Sequence, residues 1–589
     1  MDKTQRATVM INRDDLILNY NTGNLLETIC ACLLTDYDDC NILSLELATL
    51  HNEGLIDIVE AFKSLKNDPS NSLNFFRIRN VFEKTLPELE APVSSVMRCI
   101  LRLYQEAGQD FLAYTIINSF IEFLKKSSLR PSEALTEIET NPEDLSDLLP
   151  ASLIAGFCCE PSFYLKETIR LCKDKNIVLR RQAVFSLGKF VRTDGNIFSE
   201  DTFVALECSA TDDTDDQILA GIVKSAFSIL QQQEAQELRI ITLIETVLSK
   251  GNEYTLQIAA QIFGIDTDKL TDKLLDVLLI HLRRVKASNK TAIEYIDYGI
   301  QHMLKSGNIV KAVQLLEDIL LSHPDELTME VFDSAAREIL NNKVLMSKIL
   351  TRWFLRGDRV LCDGVYKIVE LHHGNDLLLE VNPDELNPED LSHMIFVARK
   401  AVGYLFFKPI SAASILVSLM RKTTDNEMVT ELGRLLFDPL LLNFTGNLRE
   451  YLLKQSEQES GEVKVSINRA LDAIENYLDD LRAVGELAAL HPGEMQRQAY
   501  NRHNTLAMSE VWKKVVVKSV MLNLVQKTVL LYGRKAIGYV HSIDGQTPLR
   551  IETPLQSYGT EIEVPRMEYL DPFGLDYMLR IFRVEKLNS

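Results

Sequence analysis

Near the C-terminus the stretch HPGEMQRQAYNRHNTLAMSEVWKK places Arg497 and His503 with five residues between them. One is a permanent cation and the other is the side chain that most readily carries a proton near neutral pH. Arg502, Lys513, Lys514 and Lys518 add positive charge, and Trp512 stands beside the lysines. Elsewhere the chain is poor in chemical signatures. It has no phosphate-cradling loop and no HExxH, GxSxG or GxGxxG sequence. His372-His373 lacks further ligands at helical spacing and reads as a helix end before Gly374. Glu462-Val463-Lys464 has the Glu-x-Lys form of metal-dependent nucleases, but its polar surroundings read as a loop. No cofactor or metal is expected. Nine cysteines without a CxxC pair read as reduced thiols inside apolar helices, as in a cytoplasmic protein.

The Arg497/His503 spacing resembles the Arg-x(4–6)-His motif of HEPN ribonucleases. That resemblance implies His503 as general acid/base and Arg497 as the group stabilising the phosphorane. Gln498 departs from the Asn, Asp or His usual after the arginine. The same residues also suit a polar helix face on which Trp512, Arg502, Lys513 and Lys514 meet a protein partner, an aromatic and its cations being strong interface anchors. Trp353, inside ILTRWFL, reads as core.

The elements that must carry these residues are overwhelmingly helical. With 589 residues the chain exceeds one hydrophobic core, so it is either several domains or an array of repeats. Glycine (25) and proline (17) are scarce, and apolar stripes recur at helical spacing from about residue 24 to about residue 532. The stretch DKNIVLRRQAVFSLGKF, Asp174 to Phe190, sets the pattern: an acidic helix start, Leu179-Arg180, a small Ala183, then Leu187-Gly188. Segments starting at Asp213 and Lys250 repeat it. Ala183, Ile222 and Ala259 align, as do Leu187, Ala226 and Phe263, and glycines follow at 188 and 264. Such steps match two-helix repeats.

This order resembles the HEAT-repeat and armadillo-like families, best over residues 150–266 and more loosely to about 455. The resemblance implies a mainly α fold: an α-solenoid of stacked helix pairs over 146–455, preceded by an N-terminal helical region (1–145). A C-terminal helical region (456–535) follows, with KQSEQESGEVKVS as its linker. At 536–589 the period changes to 2 around the turn Asp544-Gly545, which predicts a small β-rich element whose closing DPFGLDYMLRIFRVEKL suits a short helix or a final strand.

The net charge of −21 opposes nucleic acid and anionic membranes, whose recognition relies on lysine and arginine. The start MDKTQRATVMINRDD has no apolar signal region. The most apolar run, VVVKSVMLNLVQKTVLLYG, is interrupted by Lys518 and Lys527, so no membrane span is expected. The expectation is a non-enzymatic scaffold that binds protein partners within a larger complex. Two alternatives stand beside it: a HEPN-like ribonuclease or sensor of a bacterial defence system using Arg497 and His503, and a HEAT-type nucleic-acid binder.

Overall fold

A computed structural model describes residues 13–33, 39–67, 72–108, 115–193, 200–231, 236–372, 374, 377–387, 389–484, 493–518, 530–532, 535–540, 549–554 and 563–587; over 511–554 only the backbone is described. The fold is mainly α, in two compact units, Met1–Asn341 and Asn342–Ser589. The division lies inside the stretch 146–455.

The first unit holds α1 (Arg13–Asn21), α2 (Leu25–Leu33), α3 (Asp39–Asn52), α4 (Ile58–Lys63), α5 (Ser72–Thr85), α6 (Val93–Ala107), α7 (Thr115–Lys125), α8 (Arg130–Thr140), α9 (Pro142–Leu145) and α10 (Leu149–Cys159). It continues through α11 (Pro161–Leu171), α12 (Ile177–Thr193), α13 (Glu200–Asp212), α14 (Asp216–Leu230), α15 (Glu237–Lys250), α16 (Glu253–Ile265), α17 (Asp272–Leu282), α18 (Lys290–Ser306), α19 (Ile309–Ser322) and α20 (Asp333–Asn341). From α10 onward the even-numbered helices pack one on the next through α20, while α11, α13, α15 and α17 form a second row. The reason is visible in α14, whose residues 218–223 and 225–230 are all buried. A helix apolar on every side needs neighbours on every side.

The pattern at 174–188 has a specific physical basis. Asn176, rather than Asp174, caps α12: its Oδ1 accepts from Val178 N at 2.8 Å, and Asp174 Oδ1 in turn accepts from Asn176 N at 2.8 Å. Ala183 and Leu187 are fully buried. At Gly188 an added Cβ would lie 2.5 Å from Ser225 Cα, so only glycine lets α12 and α14 approach this closely. Ser225 Oγ occupies the gap, accepting from Gly188 N and donating to Val184 O. Gly264 repeats the device, facing the Tyr295 carbonyl of α18.

The second unit holds α21 (Lys343–Arg356), α22 (Arg359–Glu370), α23 (Leu391–Leu405), α24 (Pro409–Lys422), α25 (Asn426–Leu435), α26 (Asn447–Gln458), α27 (Gly461–Val484) and α28 (Glu494–Lys518). Trp353 is fully buried in α21, as a core residue should be. The expected linker at KQSEQESGEVKVS is not a long loop. α26 and α27 are separated by Glu459 and Ser460 alone, and Glu462 and Lys464 lie on the first turns of α27. The polar letters are the outer face of a helix whose inner face buries Ser466, Ile467, Ala470, Leu471 and Ile474.

Three antiparallel strands follow in order β1 (Leu530–Tyr532), β2 (Lys535–Val540) and β3 (Leu549–Pro554), with Val540 opposite Leu549. The expected turn Asp544-Gly545 lies outside the described residues. A β-rich element over 536–589 is not supported, because the chain returns to helix at Met567–Leu570 and Pro572–Val584. Asp571 caps the last of these by accepting from Gly574 N, Pro572 starts it, and Leu575 and Leu579 face the core one turn apart.

Candidate partner-binding surface

Three concavities in the first unit adjoin, each sharing lining residues with the next, and are together termed the groove. The first, about 830 Å³, is lined by Leu101 and Tyr104 of α6, by Glu143 and Asp144 of α9 and by Asp147 just beyond. The second, about 490 Å³, shares Leu101, Tyr104 and Asp147 and adds Asn118 of α7 with Gln182, Phe185 and Lys189 of α12. The third, about 300 Å³, shares Gln182 and Phe185. It adds Gln217, Ala220, Gly221 and Lys224 of α14 and Tyr254 and Gln257 of α16.

The walls are held by ties between successive helix pairs. Arg181 donates to Asp215 at two points, Nε to Oδ1 at 2.9 Å and Nη2 to Oδ2 at 2.7 Å, while Asp215 also caps α14 by accepting from Ile218 N. The guanidinium holds the Asp215 carboxyl below its ordinary range. Arg180 reaches Asp213 and the carbonyl of Asp174. Asp216 caps α16 by accepting from Asn252 N, Tyr254 N and Thr255 Oγ1. Arginine and aspartate near helix starts thus fix the spacing at which α12, α14 and α16 present their groove residues.

Within the groove, Gln182 Nε2 donates to Asp147 Oδ1 at 3.3 Å, and Lys189 Nζ stands 4.5 Å from the centre of the Phe185 ring. Among the described residues the side-chain amides of Asn118, Gln217 and Gln257 make no hydrogen bond, and Asp144 has no cationic partner. The lining is amide, aromatic and mixed charge, with no side chain positioned against a nucleophile. A further concavity of about 760 Å³ lies on the α13/α15 row, where Arg239 is already engaged by Glu200 and Glu207.

Arg497, Arg502 and His503 all lie on α28 and are exposed. Arg497 and His503 are a step of six residues apart on the helix, about 120° around the axis. Among the described residues no ion pair or side-chain hydrogen bond engages either. Trp512, Lys513 and Lys514 follow on the same helix, and their side chains lie outside the described residues. Every described side chain from Gly493 to Glu510 is exposed, including Met495 and Leu506.

Sequence reasoning missed the groove amides and also Lys400. This lysine is fully buried in α23, and its Nζ donates to Arg583 O at 2.6 Å and Glu585 O at 2.7 Å. Arg583 Nε donates to Gly403 O, and Arg399 pairs with Glu585 at 2.8 Å. Burial pushes the Lys400 amine below its ordinary range. Because its protons are committed to the carbonyls ending the helix Pro572–Val584, it acts as a clasp. A lone lysine within MIFVARKAVGYLFF was the available signal.

No helix among the described residues is long and apolar enough to cross a membrane. No family model matches the chain. No curated protein matches it either. Among solved structures, a crystal structure of an engineered protein from the Northeast Structural Genomics Consortium is similar at 13% identity, covering 74% of this chain and 99% of that one, with a TM-score of 0.23.

Proposed function

We propose that the chain is a non-enzymatic scaffold of HEAT- or armadillo-like stacked helix pairs that holds protein partners within a larger assembly. The observation that carries this reading is the run of adjoining concavities from α6 and α9 to α16. It offers unengaged amides and exposed aromatic surface on a rigid, mutually tied set of helices. Stacked helix pairs bury a core between repeats and leave an extended surface for recognition. The charge of the lining is mixed: Glu143 and Asp144 line the first concavity, Asp147 and Lys189 share the second, and Lys224 lines the third. Neutralising a phosphate backbone calls for a continuous basic stripe, so this lining favours protein over nucleic acid. The ribonuclease alternative rests on Arg497 and His503 alone, with no third group aligned to either among the described residues.

Affinity purification of the tagged chain, followed by mass spectrometry, tests the reading against a D144K/K224E variant that reverses charge within the groove. The scaffold reading expects a stoichiometric protein partner that the variant loses. Recovery of RNA with no protein partner would overturn it and return attention to His503.

A further inference from the structure

We infer that the chain pairs with a second copy of itself through the outer face of its closing helix, Pro572–Val584, the two helices running antiparallel about a two-fold axis near Met578. This surface belongs to the second unit and owes nothing to the groove, so it stands or falls apart from the scaffold reading.

The closing helix is apolar on two opposite sides. Leu575 and Leu579 are buried on the inner side, and Lys400, Arg399 and Arg583 clasp the helix against α23. The outer side carries Phe573, Tyr577, Ile581 and Val584, which are 87%, 69%, 44% and 72% exposed. At about 100° per residue these four fall within about 80° of arc, about half a turn around from the buried leucines. Single exposed apolar residues are ordinary; four aligned over about three turns of a clasped helix form a seam.

That seam is complementary to its own antiparallel copy. Turned end over end about a point between Met578 and Leu579, the helix sets Phe573 against Val584 of the second copy, and Tyr577 against Ile581. A ring therefore meets a branched aliphatic side chain at each step. Asp576 and Arg580 border the seam on one flank, both exposed and joined to each other at 2.9 Å. In an antiparallel pair the same flanks meet, so Asp576 of each copy stands against Arg580 of the other. A parallel pair would put this flank against Gly574 and Met578, which carry no charge. The charge order thus selects the antiparallel form. A lipid surface fits less well, because it calls for lysine and arginine along the polar border, whereas Arg580 is matched by Asp576.

A helix of 13 residues is about 20 Å long, so the interface is small for a specific one and its assembly depends on concentration.

The test is sedimentation equilibrium of the full-length chain from about 1 to about 100 µM, a range suited to a small interface. The wild type should pass from monomer to dimer. F573E/Y577E should stay monomeric with unchanged circular dichroism and melting, since both side chains stand in solvent. D576R and R580D should each weaken the dimer about tenfold, because symmetry makes every reversal act twice. An equimolar mixture of those two variants should regain wild-type affinity, two arginines then meeting two aspartates. The pairing is overturned by a chain that stays monomeric throughout, by a dimer that F573E/Y577E leaves intact, or by a mixture no tighter than its components.

Discussion

Arg181 and Asp215 are joined at two points, at 2.9 and 2.7 Å, and the same carboxylate caps α14. One aspartate therefore starts α14 and sets its distance from α12. Because Arg181 also lines the groove, the tie that builds the fold shapes the surface proposed to bind.

Asp215→Ala removes both the cap and the two-point pair and should destabilise the first unit by about 1–2 kcal/mol. Asp215→Asn keeps a capping oxygen and should cost less. The pH dependence has a definite sign. The Asp215 carboxyl is held below its ordinary value of 3.8, so its contribution is present above that value and is lost as pH falls through the lower folded value. Thermal melts from pH 7 down to 3 should show the wild type and Asp215→Ala converging at the acid end.

Gly188→Ala places a methyl group 2.5 Å from Ser225 Cα, where backbone cannot yield without parting α12 from α14. Overpacking of this kind costs about 1–3 kcal/mol. Scanning calorimetry should find the first unit's transition lowered, and an unchanged transition would contradict the close approach.

Burial pushes the thiols of Cys99, Cys172 and Cys362 up to about 12, whereas Cys158 is exposed. Since the thiolate is the reactive form, brief iodoacetamide treatment of the folded protein at pH 8 should alkylate Cys158 and spare those three. Peptide mass mapping reads the outcome directly.

Lys400→Met keeps the length of the side chain but leaves the carbonyls of Arg583 and Glu585 without their donor. The loss should be about 3 kcal/mol and should fall on the attachment of the C-terminal helix. Hydrogen exchange should accelerate over residues 572–584 while α12 and α14 keep their protection.

Ribonuclease chemistry makes a separate demand on α28. With Arg497 and His503 both exposed and unaligned, His503→Ala should leave any RNA cleavage by the purified chain unchanged. Gel assays on single-stranded RNA check this, and abolished cleavage would restore the HEPN reading.

What could be read from the sequence was what neighbours in sequence decide. The helical period and the special position of Gly188 were visible, because an apolar stripe and a glycine lie within one segment. The polar run ahead of Ser466 was misread as a loop, since a helix with one wet face looks like a loop when only its outer letters are weighed. The closing stretch DPFGLDYMLRIFRVEKL stood open to a short helix or a final strand, although Asp571 and Pro572 announce a helix start. Lys400 was missed because its partner carbonyls are 183 and 185 residues away. Gln217 and Gln257 are ordinary surface letters until stacking lines them along one groove.

The most direct test of the central claim is site-specific photocrosslinking. p-Benzoylphenylalanine at Tyr254, in the groove, is compared with the same probe at exposed Leu238 on the other row. The scaffold account predicts a discrete protein adduct at Tyr254 that is absent at Leu238 and is lost in D144K/K224E. Adducts to RNA alone, or equal protein labelling at both positions, would contradict it.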